Sequence, residues 1–173
     1  CESLKLDINF NEIENNIKKN FSFYYYHYYS YQLLWLQMWR SKIKDLDLIV
    51  IAIQALIPTL KNENKKNTLT NSNKENIHMV IGKSNKNNTQ IGVSAASISE
   101  ITNISRATCI RKLKLLVNLG MLIRDEKSKR YFVNQTTNDR TKNIVTKENV
   151  DYTIKIFSEF MSQSINSIIS NKI

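Results

Sequence analysis

The chain has 173 residues and a formal net charge of +10, and this length suits one domain with a substantial core. Its longest apolar run, residues 48–57, is broken by Gln54 and followed by Pro58, so it is shorter than the roughly 20 residues that cross a bilayer. We therefore expect no membrane partner and, without a signal-peptide pattern, a cytoplasmic protein. Cys1 and Cys109 form no metal-ligand spacing and no disulfide framework, so neither a metal nor a cofactor is predicted.

Residues 12–42 contain no proline or glycine and are predicted to form one long helix. Large apolar side chains occupy two of its faces, Phe21, Tyr25, Tyr28, Trp35 and Trp39 on one and Tyr26, Tyr29, Leu33, Leu36 and Ile43 on the other. His27, Ser30, Gln37 and Ser41 form a narrower polar stripe. A helix that is apolar around most of its circumference must be covered by its own domain or by a second subunit. We therefore interpret residues 1–60 as core or dimerisation helices, and a pocket for a planar effector is a further alternative.

A second helix is predicted to begin near Asp45 or Asp47 and to end at Pro58 or shortly after it. The polar residues 61–90 are predicted to form a loop, with a short strand or turn at the apolar residues 77–81. Residues 134–146 are again loop-like. Within residues 147–173 a terminal amphipathic helix is predicted from the spacing of Val150, Ile154, Phe157, Met161, Ser164 and Ile168. We favour a single compact unit for the whole chain.

Positive charge is concentrated in residues 105–130. This stretch holds eight basic and two acidic residues, a surplus of six that is more than half of the net charge of the chain. Concentrated positive charge favours a polyanionic partner, because neutralised phosphates release counterions. A solvated basic surface is the alternative.

The same region contains two short amphipathic patterns within SISEITNISRATCIRKLKLLVNLG, residues 97–120. The first predicts a helix over residues 95–102, with Ile98 and Ile101 turned inward. The second predicts a helix that Ser105 caps and Gly120 ends. Its inward side chains are Cys109, Leu113 and Leu116, and its other face is basic. Residues 121–124 and 130–134 are predicted to form two short strands around a charged turn.

This order of short helix, tight turn, basic helix and hairpin resembles the winged helix-turn-helix of bacterial transcription regulators, including the MarR and ArsR types, over residues 93–134. The resemblance implies a mainly α fold with a small β-hairpin, in which a winged helix-turn-helix domain, residues 91–134, is flanked by long N-terminal and C-terminal helices. It places the second helix, about residues 105–119, in the major groove and the wing, residues 125–130, on the backbone or minor groove. The DNA-binding residues that it implies are Ser105, Arg106, Ala107, Thr108, Ile110, Arg111, Lys114, Lys127, Lys129 and Arg130. Asn103 stands where glycine is commonest, and asparagine tolerates the positive φ of such a turn.

The sequence thus predicts a transcription regulator that binds double-stranded DNA sequence-specifically. We expect a homodimer, because one helix contacts too few base pairs to specify a genomic site. A small-molecule effector is compatible with the sequence but is not indicated by it. No nucleophile, paired-carboxylate or phosphate-loop pattern occurs, so an enzyme is not expected. The alternative is a winged-helix module that mediates protein–protein assembly without sequence-specific DNA binding.

Overall fold

The computed structural model describes residues 9–70, 91–134 and 144–170. Within these ranges the chain is mainly helical, with one small antiparallel sheet. The elements are α1 (Phe10–Lys19), α2 (Phe21–Lys42), α3 (Leu46–Thr70), α4 (Ala95–Thr102), α5 (Arg106–Asn118), β1 (Leu122–Arg124), β2 (Tyr131–Val133) and α6 (Lys147–Ser170). The described parts of residues 1–38 and 150–173 form one compact unit, and those of residues 39–149 form a second. The sequence favoured a single compact unit.

The predicted helix over residues 12–42 is interrupted at Asn20, so the prediction of one continuous helix was wrong. Asn9 caps α1, because its side chain accepts a hydrogen bond from the backbone N–H of Glu12 at 3.0 Å. Asn20 leaves the helical region with φ −116° and ψ 40°. Its side-chain amide donates to the Asn16 carbonyl at 3.3 Å and to Asn16 Oδ1 at 3.0 Å. Asparagine side chains compete with helical backbone hydrogen bonds in this way, and α2 begins only at the next residue.

The best-covered face of α2 is not one of the two predicted apolar faces. Tyr24 is buried, and its hydroxyl donates to Asn16 Oδ1 at 3.0 Å. Two turns later Tyr31 packs against Phe157 and Phe160 of α6, with ring centroids 5.5 Å and 5.7 Å apart. This face includes His27, which the sequence pattern assigned to the polar stripe. Aromatic rings are bulky enough for their contacts with a neighbouring helix to decide which face is covered.

The terminal helix α6 was predicted, but its inward side differs from the predicted stripe. Ile156 is its buried residue, whereas Ile154, Phe157 and Met161 of the predicted stripe are exposed. The covered face follows Ile156 and Phe160, which lies against Tyr31. Because Phe157 touches the same Tyr31 ring and is still 46% exposed, it lies at the edge of that face.

The long helix α3 starts as predicted and ends much later than predicted. Asp45 Oδ1 accepts a hydrogen bond from the backbone N–H of Leu48 at 3.1 Å, which caps the first turn. Leu48, Ile49, Ile51 and Ala55 are buried. The helix continues through Pro58 to Thr70, so residues 61–70 are helical and not part of a loop. Proline removes one backbone donor, and the helix nevertheless continues past it for more than three turns. Residues 71–90, with the apolar residues 77–81, lie outside the described part of the chain.

Two short capped helices follow, joined by a left-handed turn. Ser94 and Ser97 form a reciprocal capping box at the start of α4. Ile98 is buried as predicted, but Ile101 is 64% exposed, which corrects the prediction that it points inward. The inward face of α4 runs through Ala95, Ile98 and Thr102, so Ile101 lies to its side. Asn103 has φ 56° and ψ 14°, the left-handed conformation that the sequence predicted.

The hairpin forms almost as predicted. Gly120, with φ 74°, follows the end of α5, and β1 pairs with β2 in antiparallel register, Ile123 opposite Phe132. Val93 adds a third short segment, because its N–H and carbonyl exchange hydrogen bonds with Tyr131, both at 2.9 Å. The most deeply buried side chains of this unit are Ile51, Ile98, Cys109, Leu113 and Leu116. In the described part of the chain, no helix is long and apolar enough to cross a membrane.

Candidate nucleic-acid interface

The rotation of α5 is set by its buried face. Cys109, Leu113 and Leu116 each have 0% exposed surface, and they repeat at the spacing of one helical face. Ser105 caps the helix, since its hydroxyl accepts a hydrogen bond from the backbone N–H of Thr108 at 3.2 Å. With one face packed and the first turn capped, the opposite face points in a fixed direction. The basic side chains are therefore presented by a rigid helix and not by a loop.

The outward face of α5 carries most of the predicted DNA-binding residues of that helix. Arg106, Ala107, Ile110, Arg111 and Lys114 are all exposed. Ser105 and Thr108 are placed differently, because both take part in the cap. Their hydroxyl groups lie 3.0 Å apart and are hydrogen-bonded to each other, and Thr108 is half-buried. These two residues position the helix start, while the other five form its accessible surface.

A fourth cation of α5, Lys112, points toward the core and is ion-paired. Its ammonium nitrogen contacts Asp45 Oδ2 at the start of α3, and only 12% of the Lys112 side chain is exposed. Asp45 therefore both caps α3 and pairs with α5. The sequence pattern did not identify this partner, because the two residues are far apart in the chain.

The tip of the hairpin is ordered by a carboxylate. Asp125 Oδ2 accepts hydrogen bonds from the Ser128 backbone N–H at 2.7 Å and from its hydroxyl at 2.5 Å. These hydrogen bonds lower the pKa of Asp125 below its ordinary value, because they stabilise the charged form. Lys127 and Lys129 are exposed beside this turn, and Lys129 has a positive φ of 54°. Both wing lysines are thus carried on a turn with defined hydrogen bonds.

Arg130, the third predicted wing cation, is exposed but engaged with the protein. Its Nη1 donates to the carbonyl of Gly92 at 2.9 Å. Gly92 is buried against the hairpin, and a Cβ there would lie 2.5 Å from Cζ of Phe132. Arg130 therefore fastens the segment before α4 to the hairpin and keeps part of its guanidinium for other contacts.

The chemistry of the described residues gives no other candidate site. Burial raises the pKa of the Cys109 thiol, which donates a weak hydrogen bond to the Ile104 carbonyl at 3.5 Å. This placement agrees with the prediction that Cys109 is a core residue. Among the residues that the structure describes, no group of three or more His, Cys, Asp or Glu side chains could hold a metal ion.

No protein-family model matches this chain, and no curated protein or solved structure shows a significant match to it.

Proposed function

We propose that this protein is a sequence-specific double-stranded DNA-binding transcription regulator, with α5 as the helix that enters the major groove. The observation that carries this proposal is the exposed face with Arg106, Arg111 and Lys114, on a helix whose opposite face is fully buried. A capped, rigid helix with outward cations suits the major groove, which admits one α-helix and offers hydrogen-bond acceptors on guanine. Such a regulator acts where the DNA lies, which in a bacterium is the cytoplasm.

The arrangement of α4, the Asn103 turn, α5 and the hairpin supports a winged helix-turn-helix. In that arrangement the hairpin would carry Lys127 and Lys129 to the phosphate backbone or the minor groove beside the α5 contacts. Together with the three cations of α5, they give each subunit five exposed positive charges for phosphates and bases, besides Arg130, which is exposed but hydrogen-bonded to the Gly92 carbonyl. Lys112 is not among them, because it is paired with Asp45.

We further propose that the regulator is a two-fold homodimer that pairs through α2. Four large side chains, which we call the α2 seam, repeat at spacings of three, four and three residues: Tyr26, Tyr29, Leu33 and Leu36. Their exposed fractions are 69%, 59%, 56% and 39%. This 3-4 spacing is that of helices that pack along their length on a partner helix. Contacts with α6 cover the Tyr31 face of α2 and leave the α2 seam accessible, so a second copy of the chain is the partner that we assign to it.

Sedimentation equilibrium at low micromolar concentration tests the dimer. The wild type should sediment at twice the chain mass of 20.2 kDa. Leu33→Glu should shift it to the single mass, because a carboxylate in an apolar interface loses its hydration. Leu34→Glu is the matched control, since Leu34 is a 38% exposed leucine on the same helix but off the seam. A wild type that stays at one chain mass and binds one protein per site would refute the dimer.

Selection of bound fragments from random duplex DNA, followed by affinity measurements, tests DNA binding. One sequence should be enriched, and its affinity should fall roughly 10³-fold or more between about 50 and 200 mM salt, as for proteins that neutralise about six to ten phosphates. Arg111→Ala should weaken the selected site by about 1 to 3 kcal/mol more than unrelated DNA if Arg111 contacts a base. Lys155→Ala removes an exposed lysine from α6, outside the proposed interface, and should leave affinity unchanged.

Two other outcomes are informative. Equal weakening of all sequences by Arg111→Ala would assign Arg111 to the phosphate backbone. Failure to enrich any sequence, together with salt-independent behaviour, would contradict the DNA-binding proposal and favour the protein–protein assembly module.

A further inference from the structure

One apolar side chain stands in the middle of the basic face of α5. Ile110 is 37% exposed, and it lies on the same helical row as Arg106 and Lys114, four residues from each. Ala107, three residues before it, is also exposed. Cys109, Leu113 and Leu116 form the fully buried face of the helix, and Ile110 lies outside it with more than a third of its side chain accessible to a partner.

We infer that Ile110, with Ala107, contacts the C5-methyl group of a thymine, so that the half-site contains a thymine beside the base or phosphate that Arg111 contacts. This inference rests on the proposed function. An isoleucine side chain forms no hydrogen bonds, so it discriminates bases only by apolar contact. The thymine methyl is the apolar group that a base edge presents in the major groove.

The local geometry favours such a contact. A β-branched side chain in a helix is held in one strongly preferred χ1 rotamer, so Ile110 loses little conformational freedom when it packs on a methyl group. Ala107 has no side chain beyond Cβ, which lets the helix approach the base edges closely. The flanking cations Arg106 and Lys114 would hold the helix at that depth by pairing with phosphates on either side.

Removal of the methyl group alone provides the test. In the duplex recovered by the selection, each thymine of the half-site is replaced in turn with deoxyuridine, which keeps base pairing and lacks only the C5-methyl. At one or two positions the wild type should bind the uracil duplex about fourfold more weakly per half-site, because the burial of one methyl-sized apolar group is lost. Ile110→Ala should lose most of the discrimination between the thymine and uracil duplexes, with Ala107 keeping a small remainder, and Ile110→Val should keep more of it.

Leu115→Ala serves as the matched control. Leu115 is 41% exposed on the same helix, but it lies away from the Arg106–Lys114 row, so this variant should discriminate thymine from uracil as the wild type does. A wild type that binds every uracil duplex as tightly as the thymine duplex would overturn the inference while leaving DNA binding intact. Full methyl discrimination by Ile110→Ala would overturn it as well. If no sequence is enriched at all, both this inference and the proposed function fail.

Discussion

Lys112 and Asp45 form an ion pair, and replacing either residue should lower the free energy of unfolding by a different amount. Only 12% of the Lys112 side chain is exposed, against 35% for Asp45. Breaking a buried pair by removing one partner costs about 3 to 5 kcal/mol, and an exposed pair contributes about 0.2 to 1 kcal/mol. Because Asp45 retains partial contact with water, we place Asp45→Asn between these limits, at about 1 to 3 kcal/mol. Asparagine still caps α3, so the loss reports the ion pair and not the cap.

Replacing Lys112 should destabilise the protein less than replacing Asp45. Lys112→Met keeps the apolar length of the side chain and leaves behind Asp45, which is better hydrated and still accepts the Leu48 N–H. We expect a loss below about 1 kcal/mol, and the double variant should be more stable than Asp45→Asn alone because no unpaired charge remains near the core.

Hydrogen–deuterium exchange of the full chain measures these stability losses in the region around the ion pair. Peptides covering residues 109–116 report the opening free energy of the unit that contains the ion pair. Peptides covering residues 24–31 belong to the other compact unit, and their exchange should be unchanged. A loss below about 0.5 kcal/mol for Asp45→Asn, or a double variant in which the two losses simply add, would refute the reasoning.

Three further outcomes are expected. Asn103→Gly should leave the melting temperature nearly unchanged, whereas Asn103→Val should lower stability by about 1 to 2 kcal/mol because a β-branched residue is strained at positive φ; equal melting temperatures would contradict this. The lowered pKa of Asp125 means that its stabilisation is complete above the ordinary pKa of aspartate and is lost as the pH falls through the lower folded value. Carboxyl NMR titration should show this lowered pKa, and Ser128→Ala should raise it; a titration that Ser128→Ala leaves unchanged speaks against the assignment. Cys109 should resist thiol reagents at neutral pH until the protein is denatured, as followed by peptide mass mapping; rapid labelling of the native protein would show that its burial is not maintained.

The short elements of the chain could be predicted well because their signals are local. Ser105, Asn103 and Gly120 each act through the backbone of their own turn, and the structure shows the predicted cap and the two left-handed residues. The inward residues of α5 follow from one strong periodicity, so they too were predicted. Placing the basic residues outward needs no information beyond that periodicity.

The errors occur where long-range contacts decide the outcome. In α2 apolar and aromatic residues fill 14 of the 22 positions and lie on more than one face, so periodicity could not indicate that the face with Tyr24 and Tyr31 is the covered one. The partner of Lys112 lies 67 residues away in sequence, beyond any local pattern. The break at Asn20 has a local cause instead, since its side-chain amide donates to Asn16 four residues earlier, and the helix through Pro58 shows that one proline does not by itself end a helix.

At Lys129 the stability of the hairpin and the positive charge at its tip favour different residues. At φ 54° a lysine is strained by about 1 kcal/mol relative to glycine, which adopts this conformation freely. Lys129→Gly would therefore stabilise the hairpin and at the same time remove a cation from its tip. A screen for thermostability alone would favour this substitution, and under the proposed function it would yield a more stable regulator with weaker affinity for DNA.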